Sequence, residues 1–269
     1  MIIGLGLIGG SIARSIKKKN KRTYILAYDK NIPDLKKALK EKVIDEYFIR
    51  PHYQYFHVDL IIFALPIKDI QRIFKKFQSY IRPETLITDT ASTKQTAQKI
   101  FRSFPHFTGS HPLAGSEKNG YIHSHGDILK NKICILCPGQ PASIMRLKHF
   151  WNQLGMKVIC MNAVQHDQII GMTSHFIHLL SFAMAFSLRK KRLNVKSLYG
   201  PSFQQFIRLA KSNPDLWKDI FIDNKNSINI ITDDFIKVLG EFRKKLDHEN
   251  QLNNILKSSQ RYILKTTNE

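Results

Sequence analysis

A glycine-rich turn near the N-terminus constrains the fold of this chain more than any other feature. Met1-Ile2-Ile3 runs into Gly4-Leu5-Gly6-Leu7-Ile8-Gly9-Gly10-Ser11, which reads as a strand, a tight turn and a helix start. Gly4 makes the turn, Gly6 leaves bare backbone for a pyrophosphate, and Gly9 lets the helix close on the sheet. Leu7 and Ile8 fall at the helix N-terminus, where free amides favour phosphate charge. A Gly-x-Gly-x-x-Gly pattern alone carries little weight. Here a second apolar segment, Tyr24 to Asp29, ends in an acid twenty residues after Gly9, the spacing that suits a contact with an adenosine ribose. Asp29 therefore points to a dinucleotide, NAD in preference to NADP, with NADP still open. Only three residues precede Gly4, so the first strand is expected to be clipped.

The following segments alternate. Val58 to Pro66 is nearly all apolar, as expected of a parallel strand covered on both faces. Its end, Leu65-Pro66, should lie beside the cofactor, because ligands bind outside the carboxyl ends of such strands. Thr85 to Asp89 is the next strand, and Ser92 places a hydroxyl just past its end. Helices are expected over 34–42, 69–79, 95–102 and 142–154, and further strands over 132–136 and 157–161. This alternation predicts an α/β domain, a doubly wound, mostly parallel Rossmann-type sheet. No convincing strand follows Met161. The expected organisation is a dinucleotide-binding domain over 1–161 and an all-helical substrate and dimerisation domain over 162–269.

Thr108 to Gly120 is too rich in glycine and proline for helix and contains one histidine, His111. Pro112 fixes its own φ and pushes His111 toward extended backbone. A histidine held rigidly at a strand end suits proton transfer near neutral pH.

Asn162 to Leu188 reads as one long helix, apolar around most of its circumference. A helical domain of this size has little interior in which to hide such a helix, so a subunit interface and a homodimer are expected. His175 and His178 stand three apart on one face. No cysteine or carboxylate supplements them nearby, and no metal is expected.

Forty-two Lys and Arg against 21 Asp and Glu give a formal charge of +21. The basic residues are scattered in short groups at helix ends, without a nucleic-acid motif beside them. A solvated basic surface is the expectation, with no nucleic-acid partner, and its field would draw in a small anionic substrate. Cys134 and Cys137 lie three apart on a strand and so on opposite faces, which disfavours a redox or metal pair. The sequence shows no signal peptide and no apolar run near membrane-spanning length, so a cytoplasmic location and no membrane contact are expected.

Several blocks together resemble the prephenate/arogenate dehydrogenases of tyrosine biosynthesis. They are Gly4 to Ser11, Thr88-Asp-Thr-Ala-Ser92-Thr-Lys94, Gly109-Ser-His111-Pro-Leu-Ala-Gly-Ser-Glu-Lys-Asn-Gly120, Ser174-His-Phe-Ile-His178, Phe203 to Arg208 and Asn213 to Phe221. The resemblance spans nearly the whole chain, and the His111 block is far more specific than the glycine motif. Within these 269 residues neither the chorismate mutase nor the regulatory domain of some relatives is expected.

The resemblance implies an oxidative decarboxylation in which hydride leaves the carbon bearing a ring hydroxyl, carbon dioxide departs and the ring becomes aromatic. By the same resemblance His111 draws off the hydroxyl proton, Ser92 orients it, and Arg208 grips a substrate carboxylate. His175 and His178 face the cleft, and Ser116, Glu117 and Trp217 line or gate it. Relatives often carry an aspartate where this chain has Gln205, which weakens any ionic latch there. With His178 and Arg208 read as donors, prephenate is the expected substrate. Arogenate is the alternative, Asp215 being the one candidate partner for its amine. Two other readings differ in class: a β-hydroxyacid dehydrogenase, which would use a helix lysine, and a silent NAD-binding or nucleic-acid-binding protein.

Overall fold

The computed structural model describes residues 1–116, 118–192, 195 and 200–267, and the chain forms two compact units, Met1–Asn224 and Lys225–Glu269. Five short parallel strands build the first sheet: β1 (Ile2–Ile3), β2 (Leu26–Tyr28), β3 (Glu46–Tyr47), β4 (Leu60–Phe63) and β5 (Leu86–Asp89), in the order β3-β2-β1-β4-β5. Helices α1 (Leu7–Lys19), α2 (Ile32–Lys40) and α3 (Ile67–Phe77) make the crossovers. Isoleucine, leucine and phenylalanine fill β1 and β4, and β5 adds Leu86 and Ile87 before the buried Thr88 and Asp89, so these strands are covered on both faces as a parallel sheet requires. This is the Rossmann-like architecture that the glycine turn predicts. β1 has two residues, as short as β3.

The sheet does not continue unbroken. After α4 (Gln95–Ile100) the chain makes a single parallel bridge from Phe107 to Ile87 and then turns into β6 (Gly109–Pro112). A second, three-stranded sheet follows, β6-β7-β8, with β7 at Ile133–Cys137 and β8 at Lys157–Cys160. β7 runs antiparallel to β6, His111 opposite Ile135, and β8 runs parallel to β7 across helix α5 (Pro141–Gln153). The expectation of one mostly parallel sheet thus holds for five strands and changes at the sixth. The cause is local: among the described residues, 113–132 holds only two short 3-10 turns and no α-helix, so it cannot make the crossover that a parallel neighbour needs. Cys134 and Cys137 are buried in different apolar clusters, consistent with opposite faces.

The expected helix over 162–188 is α6 (Ala163–Ile170), a π-helical turn (Gly171–His175) and α7 (Phe176–Lys190). A π turn adds a residue and re-phases the faces before and after it. Over Ala163–Lys190 the helix is 28 residues long with a mean hydropathy of 1.5 in its most apolar window, enough by those measures to cross a membrane. This corrects the expectation that no segment approaches that length. Polar residues punctuate the run without lowering its average far. Helices α8 (Pro201–Arg208) and α9 (Pro214–Asp223) complete this unit, with Ser181 Oγ on α7 donating to Phe206 O at 2.9 Å. In the second unit, α10 (Lys225–Lys245) packs on α11 (Glu249–Thr267) across a three-residue turn.

Candidate functional site

The glycine turn has the form its sequence predicts. Gly4 sits at φ +97°, a left-handed conformation that only glycine adopts without strain. A Cβ on Gly9 would lie 1.9 Å from Gly4 O, so helix and strand approach too closely for any side chain. Gly6 differs: a Cβ there meets nothing within 4 Å, and it caps α1 without a side-chain bond. The turn thus pairs open space with uncapped helix amides, the combination that accepts a phosphate. Leu7 and Ile8 begin α1, and Leu65-Pro66 leads from β4 into α3. Asp29, at the end of β2, takes hydrogen bonds from Leu5 N at 2.6 Å and Asn31 N at 2.8 Å. Its carboxylate pins the turn and keeps lone pairs for a further donor. A larger cleft of about 940 Å³ opens beside Met1, Val58 and Leu60. It lies at the opposite ends of the strands, away from where open α/β sheets bind ligands.

His111 is placed by β6 and is only 9% exposed. Beneath it, Ser110 Oγ accepts from Trp151 Nε1 at 3.0 Å and shares a 2.6 Å bond with Thr88 Oγ1. Lys94 is fully buried, ion-paired with Asp89 and donating to Ser110 O at 2.7 Å. His111 Nδ1 stands 2.8 Å from His166 Nε2, and His166 Nδ1 stands 2.8 Å from Asp167 Oδ1. Burial drives the His111 pKa well below the ordinary histidine value, and the nearby His166, Lys94 and His175 push the same way. Its imidazole is neutral at neutral pH.

A cleft of about 490 Å³ joins His111 and Ser92 to Ser116, His175, His178, Arg208 and Trp217. Glu117 lies outside the described residues. His175 is 1% exposed and its Nδ1 faces Asn224 Nδ2 at 3.0 Å, while Nε2 has no partner. Asn224 Nδ2 can only donate, so a neutral His175 carries its proton on Nε2. Burial lowers its pKa to about 4, with the His166 and His178 charges acting the same way against Asp167. His178 Nδ1 donates to Ser174 O at 3.0 Å, and its ring stacks on Trp217. Burial again lowers its pKa, opposed by the Ser174 bond and assisted by Arg208. Neutral His178 therefore offers an acceptor at Nε2, which corrects its expected role as a donor.

One further expectation changes. Asp215 is 85% exposed at its side chain, paired with Lys218 at 2.8 Å, and does not line the cleft. Its position in the first turn of α9 accounts for it. No cluster of three or more metal-ligating side chains occurs among the described residues.

Sequence reasoning missed His166 and Asp167. Both are polar and buried in a helix read from its apolar residues. That contrast was the available signal.

Comparison with known proteins places these features together. Residues 12–160 match the prephenate dehydrogenase nucleotide-binding domain, and residues 162–259 match the prephenate dehydrogenase dimerization domain. The chain is 30% identical over 264 residues to a prephenate dehydrogenase of Bacillus subtilis, covering 94% of this chain and 71% of that protein. It is 29% identical to a cyclohexadienyl dehydrogenase of Zymomonas mobilis, covering 90% and 86%. Prephenate dehydrogenase from Aquifex aeolicus, crystallised with hydroxyphenyl propionate and NAD+, superposes with a TM-score of 0.90 at 27% identity, covering 98% and 96%. The chain belongs to the prephenate dehydrogenase family and carries both its nucleotide-binding and its dimerization domain.

Proposed function

We propose that this protein converts prephenate to 4-hydroxyphenylpyruvate and carbon dioxide, with NAD as electron acceptor. The observation that carries the reading is one cleft bordered by Ser92, His111, His175, His178 and Arg208 in a chain of this family. Gly4, Gly6, Leu7, Ile8, Gly9, Asp29, Leu65 and Pro66 would hold the dinucleotide, and the open space at Gly6 fits its phosphates. When bound, NAD supplies a two-electron hydride acceptor.

The residues of the chain supply binding and proton transfer. Neutral His111 takes the proton of the ring hydroxyl as the C–H electron pair leaves, and a carbonyl forms. Loss of the ring carboxylate then returns an electron pair to that oxygen, which recovers its proton from His111. Ser92 orients the hydroxyl and the imidazole. Arg208 holds a carboxylate through charge-assisted bonds, each worth roughly 1.5–3 kcal/mol. His175 donates from Nε2, and Ser116, His178 and Trp217 shape the rest of the pocket.

Prephenate is favoured over arogenate because no carboxylate lines the cleft among the described residues. A buried ammonium without such a partner is costly. The domain division proposed is 1–161 for the dinucleotide and 162–269 for substrate and dimerisation. Ile177, Met184 and Phe186 expose apolar surface on α7, and their proposed cover is a second copy of the chain. A lipid bilayer is the poorer cover for a helix that carries Asp167. The exposed thiol of Cys160 suits a reducing cytoplasm.

The test is purified protein with prephenate or arogenate, crossed with NAD or NADP, followed by nicotinamide absorbance and carbon dioxide release. Equimolar reduced NAD and carbon dioxide from prephenate support the reading; turnover of neither acid overturns it.

A further inference from the structure

Four donors converge on the Asp167 carboxylate. Oδ1 accepts from Lys94 N at 2.8 Å and faces His166 Nδ1 at 2.8 Å; Oδ2 accepts from Gln95 N at 3.0 Å and Gln95 Nε2 at 3.2 Å. Two of these are the amides at the N-terminus of α4, so Asp167 caps a helix 72 residues distant in sequence. Burial alone would raise its pKa, but the bonds from His166, Gln95 and Lys94 outweigh it and the pKa is lowered. An ionised carboxylate only accepts, so His166 must carry a proton on Nδ1.

The next two assignments follow in order. His166 is fully buried, and burial lowers its pKa against the pull of Asp167. A neutral ring protonated at Nδ1 has a lone pair at Nε2. That atom faces His111 Nδ1 at 2.8 Å, so His111 Nδ1 must be the donor. Neutral His111, protonated there, keeps its lone pair on Nε2, the ring's remaining nitrogen.

We propose that Asp167 and His166 are positioning residues that lock His111 in the tautomer whose Nε2 accepts the substrate proton. This rests on His111 acting as the proton acceptor. As the hydroxyl O–H bond breaks and the His111 Nε2–H bond forms, the Nδ1 proton stays in place. The imidazolium charge stays on His111 and is stabilised by the His166 Nε2 lone pair, which the Asp167 carboxylate orients from the other side. That charge also faces the buried Lys94 ammonium, whose repulsion is offset by its partner Asp89. Both Asp167 and His166 are thereby distinct from residues that touch substrate.

The experiment is long-range nitrogen–proton NMR of the full-length protein labelled with nitrogen-15 histidine, with steady-state kinetics of two variants. His111 and His166 should each show a protonated Nδ1 and an unprotonated Nε2. His166→Gln, which keeps an acceptor for His111, should lower kcat about 10-fold, and His166→Leu about 10²-fold or more, within the range known for general-base catalysis. Both should leave the prephenate KM and the NAD affinity within about threefold, a split that general unfolding does not produce. His111 protonated on Nε2, or His166→Leu with wild-type kcat, would overturn the proposal. If His166→Leu fails to fold, the wild-type spectrum still decides. An active protein with the opposite tautomer sinks the positioning role alone. A protein with these tautomers that is inert toward prephenate sinks the functional reading instead.

Discussion

The imidazole of His178 lies flat on the indole of Trp217, ring centroids 3.5 Å apart and planes 19° apart. With Nδ1 tied to Ser174 O, the stack leaves the ring one fixed orientation beside the cleft. Trp217→Ala should therefore do two things. Loss of a nearly buried indole should cost about 3 kcal/mol of stability, and a freed His178 should raise the prephenate KM. Trp217→Phe keeps a ring and should lose less of both. Denaturant unfolding and KM measurements on the pair check this, and an unchanged KM in Trp217→Ala would remove the stack from substrate binding.

The glycine turn separates folding from cofactor binding. Gly9→Ala forces a Cβ against Gly4 O and should destabilise the protein or prevent folding. Gly6→Ala enters open space and should keep the melting temperature while lowering NAD affinity by about tenfold or more, roughly 1.4 kcal/mol. Calorimetric titration with NAD decides. Undiminished affinity in Gly6→Ala would move the phosphates away from that residue.

How legible was this site? The glycine turn and the His111 strand were, because close backbone approach and proline restriction are local demands written in consecutive residues. The reversal at β7 was less so, since it depends on the lack of a crossover helix among the described residues of 113–132 rather than on the strands themselves. The partner of His111 was not legible at all. His166 is 55 residues away in sequence and meets it only through tertiary packing. A periodicity count over 162–188 also passes over the π turn, because re-phasing by one residue leaves the apolar average intact.

Acid should destabilise the fold above the carboxylate range. The pKa of His175 is about 4 in the folded chain and near 6.5 when unfolded. As pH falls through 6.5 the unfolded chain takes up a proton that the folded chain refuses. Stability is full above about pH 6.5, declines toward pH 4, and gains no further loss from this group below that. The group's share is roughly 3 kcal/mol. The depressed pKa of Asp167 contributes stability above the ordinary carboxylate range and extends the loss to lower pH. Urea unfolding at pH 7 and pH 5 measures this, and equal free energies at the two would refute buried neutral histidines.

Substrate choice gives a prediction about a residue outside the cleft. Prephenate should exceed arogenate in kcat/KM, and Asp215→Asn should leave the ratio unchanged, because Asp215 is solvent-exposed and bonded to Lys218. A ratio that favours arogenate and reverses in Asp215→Asn would make Asp215 the partner of the amine.

The central claim is that His111 is the proton acceptor in an NAD-linked oxidation of prephenate. The kcat of His111→Asn relative to wild type, with both substrates saturating, tests it most directly. A fall of about 10² or more is predicted, the scale of a lost general base, with NAD affinity and melting temperature preserved. A variant that turns over prephenate at near the wild-type rate would contradict it.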